Sequence, residues 1–504
     1  LKAECKGSSQ ISCGLLVKIN RAVIKDLAKF LKDKFNVYLT SISVIHEPQG
    51  SSKATILYCY KSFAFDYNFN LYIQVEIGKA IHVISSISEL FPAALSFEQR
   101  ISNTENINFV RTEKKVDRSI FCNPYSIYPQ NVEINLLPSG IFNNIHANNF
   151  YFEFEAKNGV IKHISLKDGW LHKKILNKLN SVDLKSACDL IEKIDPLSNV
   201  HFKLGLVLCL EELLSIDTSP KVNYIRVLLA ELERINNHLV WFANLFDLIN
   251  YSRTFVLLYE DWIKLGKIFE SISNDRFLTQ AIVLGSSIDI LSKDAYNLRQ
   301  SLKALINHAF QAIHRDLYQG YTKKELNCGT LSMEEALLLG VSGPNLRGTG
   351  YPFDVRYFDS YLNYIKHETS QVWNVVAFDG GNGFSRAQVR LFEIQQSLKI
   401  CDYILDSLTF YERPVSSEEI KWKKLKIPSD KNIIRHLESP KGLLTVGIKT
   451  FKSKSKRSDY QMFIVPPSLA NYYALDSKIL LNEKIGLIPL IIHSFDLSFL
   501  NLDL

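Results

Sequence analysis

Between residues 183 and 317 the chain offers almost uninterrupted helix. Residues 204–214, 222–248, 259–272 and 294–312 each repeat apolar side chains at helical spacing. A run of this kind predicts a helical bundle, and Pro220 marks where its longest helix begins. The chain has 504 residues, 46% of them hydrophobic and 22% charged, so it can bury a large core.

The flanks carry a different period. Residues 18–35 (KINRAVIKDLAKFLKDKF) predict an amphipathic helix. From 37 to 84 the period is two: VYLTSISVI, ATILYCY, YNFNLYIQVEI and AIHVIS predict short strands. A short helix over 87–100 follows. Together they predict a small α+β domain built on one antiparallel sheet. Residues 110–138 are polar and proline-bearing and read as a linker. Asn158-Gly159, between two strand-like runs, predicts a tight hairpin. After the bundle, GLLTVGIKTF and YQMFIVPP predict strands, and the apolar run at 485–492 reads as another. The expected fold class is α+β: a small domain over 1–112, a linker over 113–137 and a large, mainly helical domain over 138–504.

The net charge is 59 − 52 = +7, and the basic residues are scattered. Two short lysine-rich runs, at 421–431 and 452–457, read as solvated loops, and no nucleic-acid motif accompanies them. The eight cysteines form no C-x-x-C pair, a pattern that suits a reducing compartment. No apolar run reaches the ~18 to 20 residues that span a bilayer, and no signal peptide is visible. Leu1 leaves the true start of the chain open.

Charge is densest between Gly343 and Ile400. Arg347, Asp354 and Arg356 can form an ion-pair cluster, since a guanidinium offers carboxylates a two-pronged fork. Arg386, Arg390, Glu393 and Ser397 recur about one turn apart on a helix. Upstream, Glu231, Arg234 and His238 share one helix face and read as a polar ladder holding two helices in register. Glu211 lies on an apolar helix, where an unpaired carboxylate is costly, and is a candidate proton relay. Asp195, before Pro196, reads as a helix N-cap or a second relay carboxylate.

Several segments, in order, resemble one family: the hydrogenase-like large subunit of respiratory complex I and of formate hydrogenlyase-type membrane hydrogenases. They are Asp168-Gly169-Trp170-Leu171-His172, Ile194 to Ser198, Glu231 to His238 (E-x-x-R-x-x-N-H), Asp275-Arg276-Phe277, Gly343 to Arg356, and Gly381 to Ser397. Phe91-Pro92-Ala93-Ala94 followed by Phe97-Glu98-Gln99-Arg100 resembles complex I's small accompanying hydrophilic subunit. The resemblance thus implies a fusion of the two subunits covering nearly the whole chain.

Departures from the family pattern are informative. Nickel-iron centres need two pairs of soft thiolates. Here the two places read Asp195-Pro196-Leu197-Ser198 and Asp496-Leu497-Ser498-Phe499, without cysteine. No metal is therefore expected on this chain. Pro196 stands where the family's quinone-binding tyrosine would, and His146 is the candidate for one retained histidine. The resemblance implies a subunit that accepts electrons from an iron–sulfur cluster on a small partner subunit and passes them to quinone or another acceptor. Such a subunit would dock on antiporter-like membrane subunits, peripheral to the cytoplasmic face of the membrane, in an NADH dehydrogenase-type complex. Under it, His146, Asp195, Glu211, Arg347 and Asp354 are the candidate catalytic residues. Arg276 and Arg356 are the candidate contacts to the partner's cluster. The alternative is a catalytically silent docking platform.

Overall fold

The computed structural model describes residues 5–11, 14–35, 37–46, 53–62, 69–78, 83–105, 107–111, 135–138, 151–167, 174–359, 361–362, 364, 372–411, 415, 422, 425–452 and 459–502. The expected boundary at 112/113, the residue His146 and the segment Asp168 to His172 fall outside them.

The N-terminal part opens with β1 (Cys5–Ile11), β2 (Gly14–Ile19) and α1 (Ile24–Phe35). The strands β3 (Val37–His46), β4 (Lys53–Ser62) and β5 (Asn70–Gly78) complete a five-stranded sheet of order β1-β2-β5-β4-β3. The expectation of a purely antiparallel sheet is corrected: β2 and β5 run parallel. The helix α1 and the β3–β4 pair intervene between them, so the chain returns to β5 in the direction of β2. The strand GLLVKI does not alternate, and its end overlaps the start of the amphipathic pattern. β6 (Val83–Ser85) pairs in parallel with β7 (Asn108–Val110). Between them α2 (Ala94–Glu105), which starts later than position 87, buries Ala94, Phe97 and Ile101. β8 (Asn135–Pro138), β9 (Tyr151–Lys157) and β10 (Val160–Lys167) form a second sheet. Asn158 (φ 55°) and Gly159 (φ 73°) make the expected tight turn between β9 and β10.

The helical part comprises α3 (Ile175–Ser181), α4 (Leu184–Ile191), α5 (Asn199–Leu214), α6 (Pro220–Leu248) and α7 (Ser252–Ser273). The short hairpin β11 (Ile282–Val283) and β12 (Ser286–Ser287) precedes α8 (Ser292–Leu317), α9 (Gly320–Glu325), α10 (Met333–Leu338), α11 (Pro344–Arg347), α12 (Val355–Phe358) and α13 (Gly383–Leu408). Ser219 caps α6 through the Val222 amide, with Pro220 in its first turn. α6 is buried along nearly all its length, against α7, α13, α5 and the C-terminal helix below. A helix surrounded on all sides has no solvated face, which is why its polar residues must find partners inside.

β13 (Asn432–Ser439), β14 (Gly442–Phe451) and β15 (Asp459–Val465) form an antiparallel sheet against α5. A Cβ on Gly205 would stand 2.7 Å from Val446 Cγ2, so only glycine lets α5 approach β14 so closely. The chain ends with α14 (Pro467–Ala474), α15 (Ile488–Phe495) and α16 (Phe499–Leu502). The apolar run at 485–492, expected as a strand, is instead a short 3-10 turn (Ile485–Leu487) leading into α15. Pro489 in its first turn suits a helix opening, and Ile488, Ile491 and Phe495 are buried among α6 and α13. No helix among the described residues is long and apolar enough to cross a membrane.

The N-terminal sheet touches the C-terminal part directly. Tyr72 OH and His436 Nε2 lie 2.6 Å apart, and buried Lys61 pairs with Asp359. Asn70 Nδ2 donates to Asp359 at 3.2 Å.

Candidate functional site

The expected ladder on α6 faces α13. Glu231, Arg234 and His238 are all fully buried. Glu231 accepts from Ser397 of α13 at 2.5 Å, and His238 Nε2 meets Glu393 of α13 at 2.9 Å. The two helices are thus tied at two levels. Glu231 also accepts from Tyr364 OH at 2.7 Å, from Arg356 Nη1 at 3.1 Å and from Arg234 Nε at 3.3 Å. Burial pushes its carboxyl up, but Arg356 and Arg234, with the Ser397 and Tyr364 hydrogen bonds, hold it at about 2.

The 343–356 segment supplies the cations. Gly343 has φ 69°, and a Cβ there would lie 2.4 Å from Gly442 Cα, so this turn needs glycine. It delivers Arg347 to the centre. Arg347 donates to Glu393 Oε1 from Nε (3.0 Å) and Nη2 (2.6 Å), and to Glu438 Oε1 from Nη1 (2.7 Å). Asp354 caps α12 and takes Arg356 in a fork at 3.0 and 2.7 Å. Arg356 also lies over the Trp373 ring at 4.8 Å. Burial alone would raise Glu393, yet Arg347 and the His238 hydrogen bond hold it well below the carboxylate range. Burial, His238's dominant influence, outweighs Glu393 and lowers its affinity for a proton, so the ring is neutral at pH 7.

Two partners in this web are not evident from the sequence. Glu438 sits on β13, a strand that its sequence does not announce, and it accepts both Arg347 and the Val355 amide. Tyr364 follows a stretch that reads only as a connection.

Glu211 is not left alone. Arg226 of α6 grips it at 2.8 and 2.6 Å, and the Gly285 amide donates at 2.7 Å. Arg226 in turn reaches the carbonyls of Val283 and Ser286, both at 2.9 Å. The pair pins the β11–β12 hairpin to the bundle, a position removed from the Arg347 web. Arg276 is exposed beside Glu270 at 3.3 Å and joins neither group.

Asp195 is correctly placed near a helix start but does not cap it. α5 begins at Asn199, and its free amides at Val200 and His201 are taken by Glu233 of α6, at 2.7 and 3.1 Å. Asp195 instead accepts from the Leu197 amide and from Asn501 Nδ2, both at 3.0 Å. That second bond joins the two places where the family's cysteines would stand. Beside it, Asp496 accepts from Lys441 at 3.2 Å, and Asn345 donates to the Phe495 carbonyl at 2.9 Å. Asn382 caps α13 through the Ser385 amide at 3.0 Å.

The corner's donor set is oxygen and nitrogen: Asp195, Ser198, Asp496 and Asn501. The buried thiols Cys188, Cys209, Cys328 and Cys401 lie on other elements. Soft-thiolate ligation of nickel and iron does not fit these residues.

This architecture, a small mixed-sheet domain ahead of a helical bundle with an ion-paired core, coincides with two family matches. Residues 17–130 match the family described as respiratory-chain NADH dehydrogenase, 30 Kd subunit, and residues 251–433 match its 49 Kd subunit. The chain thus carries regions of both types fused in one polypeptide. Among curated relatives, a subunit of the NADH-quinone oxidoreductase of Geotalea uraniireducens is 27% identical over 353 residues, 64% of this chain and 86% of the relative. Its counterpart in Geobacter sulfurreducens is 28% identical over 350 residues, 64% and 86% respectively. A subunit of the F(420)H(2) dehydrogenase of Methanosarcina mazei is 26% identical over 301 residues, 58% and 78%. The likeness is to complex I-type oxidoreductase subunits of electron transport.

Proposed function

We propose that the chain is a membrane-peripheral subunit of a respiratory oxidoreductase complex of the complex I and formate hydrogenlyase type. In this reading it receives electrons from an iron–sulfur cluster on a small partner subunit and delivers them to quinone or another acceptor, coupled to ion translocation by antiporter-like membrane subunits. One observation carries the reading furthest: the corner at Asp195, Asp496 and Asn501 remains polar and buried although it lacks thiolate ligands. Corners that have lost all function tend to fill with apolar side chains, because buried polar groups cost free energy unless satisfied. The relatives' names supply the electron-transfer setting. The exposed Arg276 suits contact with a partner, whereas Arg356 is committed to Asp354 and Glu231.

A second reading has its own support. The direct Asp195–Asn501 hydrogen bond closes the corner, and the Arg347 web ties helices together, as expected of a silent docking platform. One experiment separates the two. The native complex is purified with its co-purifying subunits, and quinone reduction is assayed for wild type, Asp195→Asn and Asp496→Asn. The first reading expects normal assembly with activity reduced at least tenfold in one variant or the other. Full activity in both, with an intact complex, would leave the platform reading standing.

A further inference from the structure

We propose that Arg390 forms the floor of a buried seat for one small anion, a halide or a short carboxylate such as formate. The proposal does not rest on electron transfer. Arg390 is fully buried on α13, its guanidinium lying 4.5 Å from the centre of the Trp241 ring. Its Nη1 donates to the Arg386 carbonyl at 3.1 Å. Its Nε and Nη2 have no acceptor among the described residues. Asp496 Oδ2 stands 4.0 Å from Nε, too far for a hydrogen bond, and the other oxygen of that carboxylate already holds Lys441.

The balance of charge points the same way. Arg386, one turn earlier, is also fully buried, and it donates to neutral partners: Ser494 Oγ and the carbonyls of Gly381 and Gly329. Glu393, one turn later, is engaged by Arg347 and His238. Asp496 thus serves two cations, Arg390 and Lys441, while Glu393 also supports the charge on Arg390 and Glu483 that on Arg386, one turn away. Burial pulls Arg386 and Arg390 down only to about 9 and about 10, so both stay charged at neutral pH. A water molecule would meet the two free N–H groups but add no negative charge where two cations, Arg390 and Lys441, share the Asp496 carboxylate. A cation would be repelled. An anion meets both needs, and a guanidinium edge binds anions well when water is excluded.

Bromide serves as the probe. Full-length protein is crystallised with bromide, and anomalous scattering is mapped. In parallel, Tm is followed as bromide or formate replaces a bulky anion at constant ionic strength. The expected result is one bromide within hydrogen-bonding reach of Arg390 Nε and Nη2. A Tm rise of roughly 3 to 6 °C, growing with the logarithm of concentration, should be reached at an anion concentration about 100-fold above Kd. Both should vanish in Arg390→Gln, while Arg390→Lys, which keeps the charge but loses the fork, retains a smaller rise. Formate that clears the bromide peak identifies a carboxylate seat, and a peak that persists identifies a halide seat. Wild-type crystals showing only water at Arg390, or an equal Tm rise in Arg390→Gln, would overturn the proposal. If Arg390→Gln does not fold, the wild-type bromide map alone decides.

Discussion

Arg347 and Arg390 both reach the face of α13 that meets α6, yet their surroundings are built on opposite terms. Around Arg347, cations and carboxylates interlock: Glu393, Glu438, Asp354, Glu231, Arg356 and Arg234 each take at least one charged partner. Around Arg390, Lys441 shares the one carboxylate in ion-pair range, that of Asp496, and among the described residues hydrogen-bonding capacity stays unused at Arg390, Asn345 and Asn501, against His238 Nδ1 in the first region. The first region holds helices, a strand and two loops together. The second has the unmet valence of a place that receives something. Density of charge along a sequence does not by itself distinguish structure from site. Completeness of pairing does.

Breaking the complete web should cost most. Arg347→Ala would leave Glu393 and Glu438 buried without their main cation, which typically costs about 3–5 kcal/mol. Chemical denaturation of the full chain checks this. A loss under about 1 kcal/mol would mean that the web is solvated in solution and that the contrast with Arg390 fails.

Acid should attack the same web. Glu231 falls from its ordinary value near 4.5 to about 2 in the folded chain. A depressed carboxyl contributes stability above its unfolded value and loses it as pH falls through the folded one. Glu231 alone should therefore cost about 3 kcal/mol between pH 4.5 and 2. The N-terminal part offers the reverse case. Glu98, held by Ser86 Oγ at 2.6 Å and the Ile87 amide at 2.9 Å, is pushed up by burial to about 7. Its contribution is full below about 4.5 and is lost as pH rises through 7. Glu98→Gln should accordingly stabilise the protein by about 1–3 kcal/mol at pH 8 and change little at pH 4. Equal effects at both pH values would show that Glu98 is not the titrating group.

Much of the web is legible in the sequence. Glu231, Arg234 and His238 share a face by helical arithmetic, and the Arg347/Asp354/Arg356 cluster follows from spacing. What stays hidden is pairing across long separations. Nothing local marks Glu438 as Arg347's partner, 91 residues on. Nor does an apolar helix show that Glu211 is answered by Arg226 rather than left to carry protons. The β2–β5 parallel pairing escapes for a related reason: β2 lacks a period of two, and its last residues, 18 and 19, fall within the amphipathic pattern. The 485–492 segment misleads because a short apolar run fits a buried strand and a buried helix equally, and only its neighbours decide.

The smallest expected effect bears most on the incomplete corner. Asn501→Ala removes the side chain that joins Asp195 to the C-terminal segment, a single hydrogen bond to a carboxylate worth about 1–3 kcal/mol. If that bond only closes a disused corner, the variant should lose this stability and nothing else. If the corner and the Arg390 seat act together, freeing Asp195 should also change the anion dependence of Tm, because a buried carboxylate left without its partner alters the field an anion meets. A Tm rise with bromide that shrinks in Asn501→Ala, measured at matched ionic strength, would place Asp195 and Arg390 in one electrostatic unit. An unchanged rise would confine the seat to the Arg390 side and leave Asp195 as part of the frame.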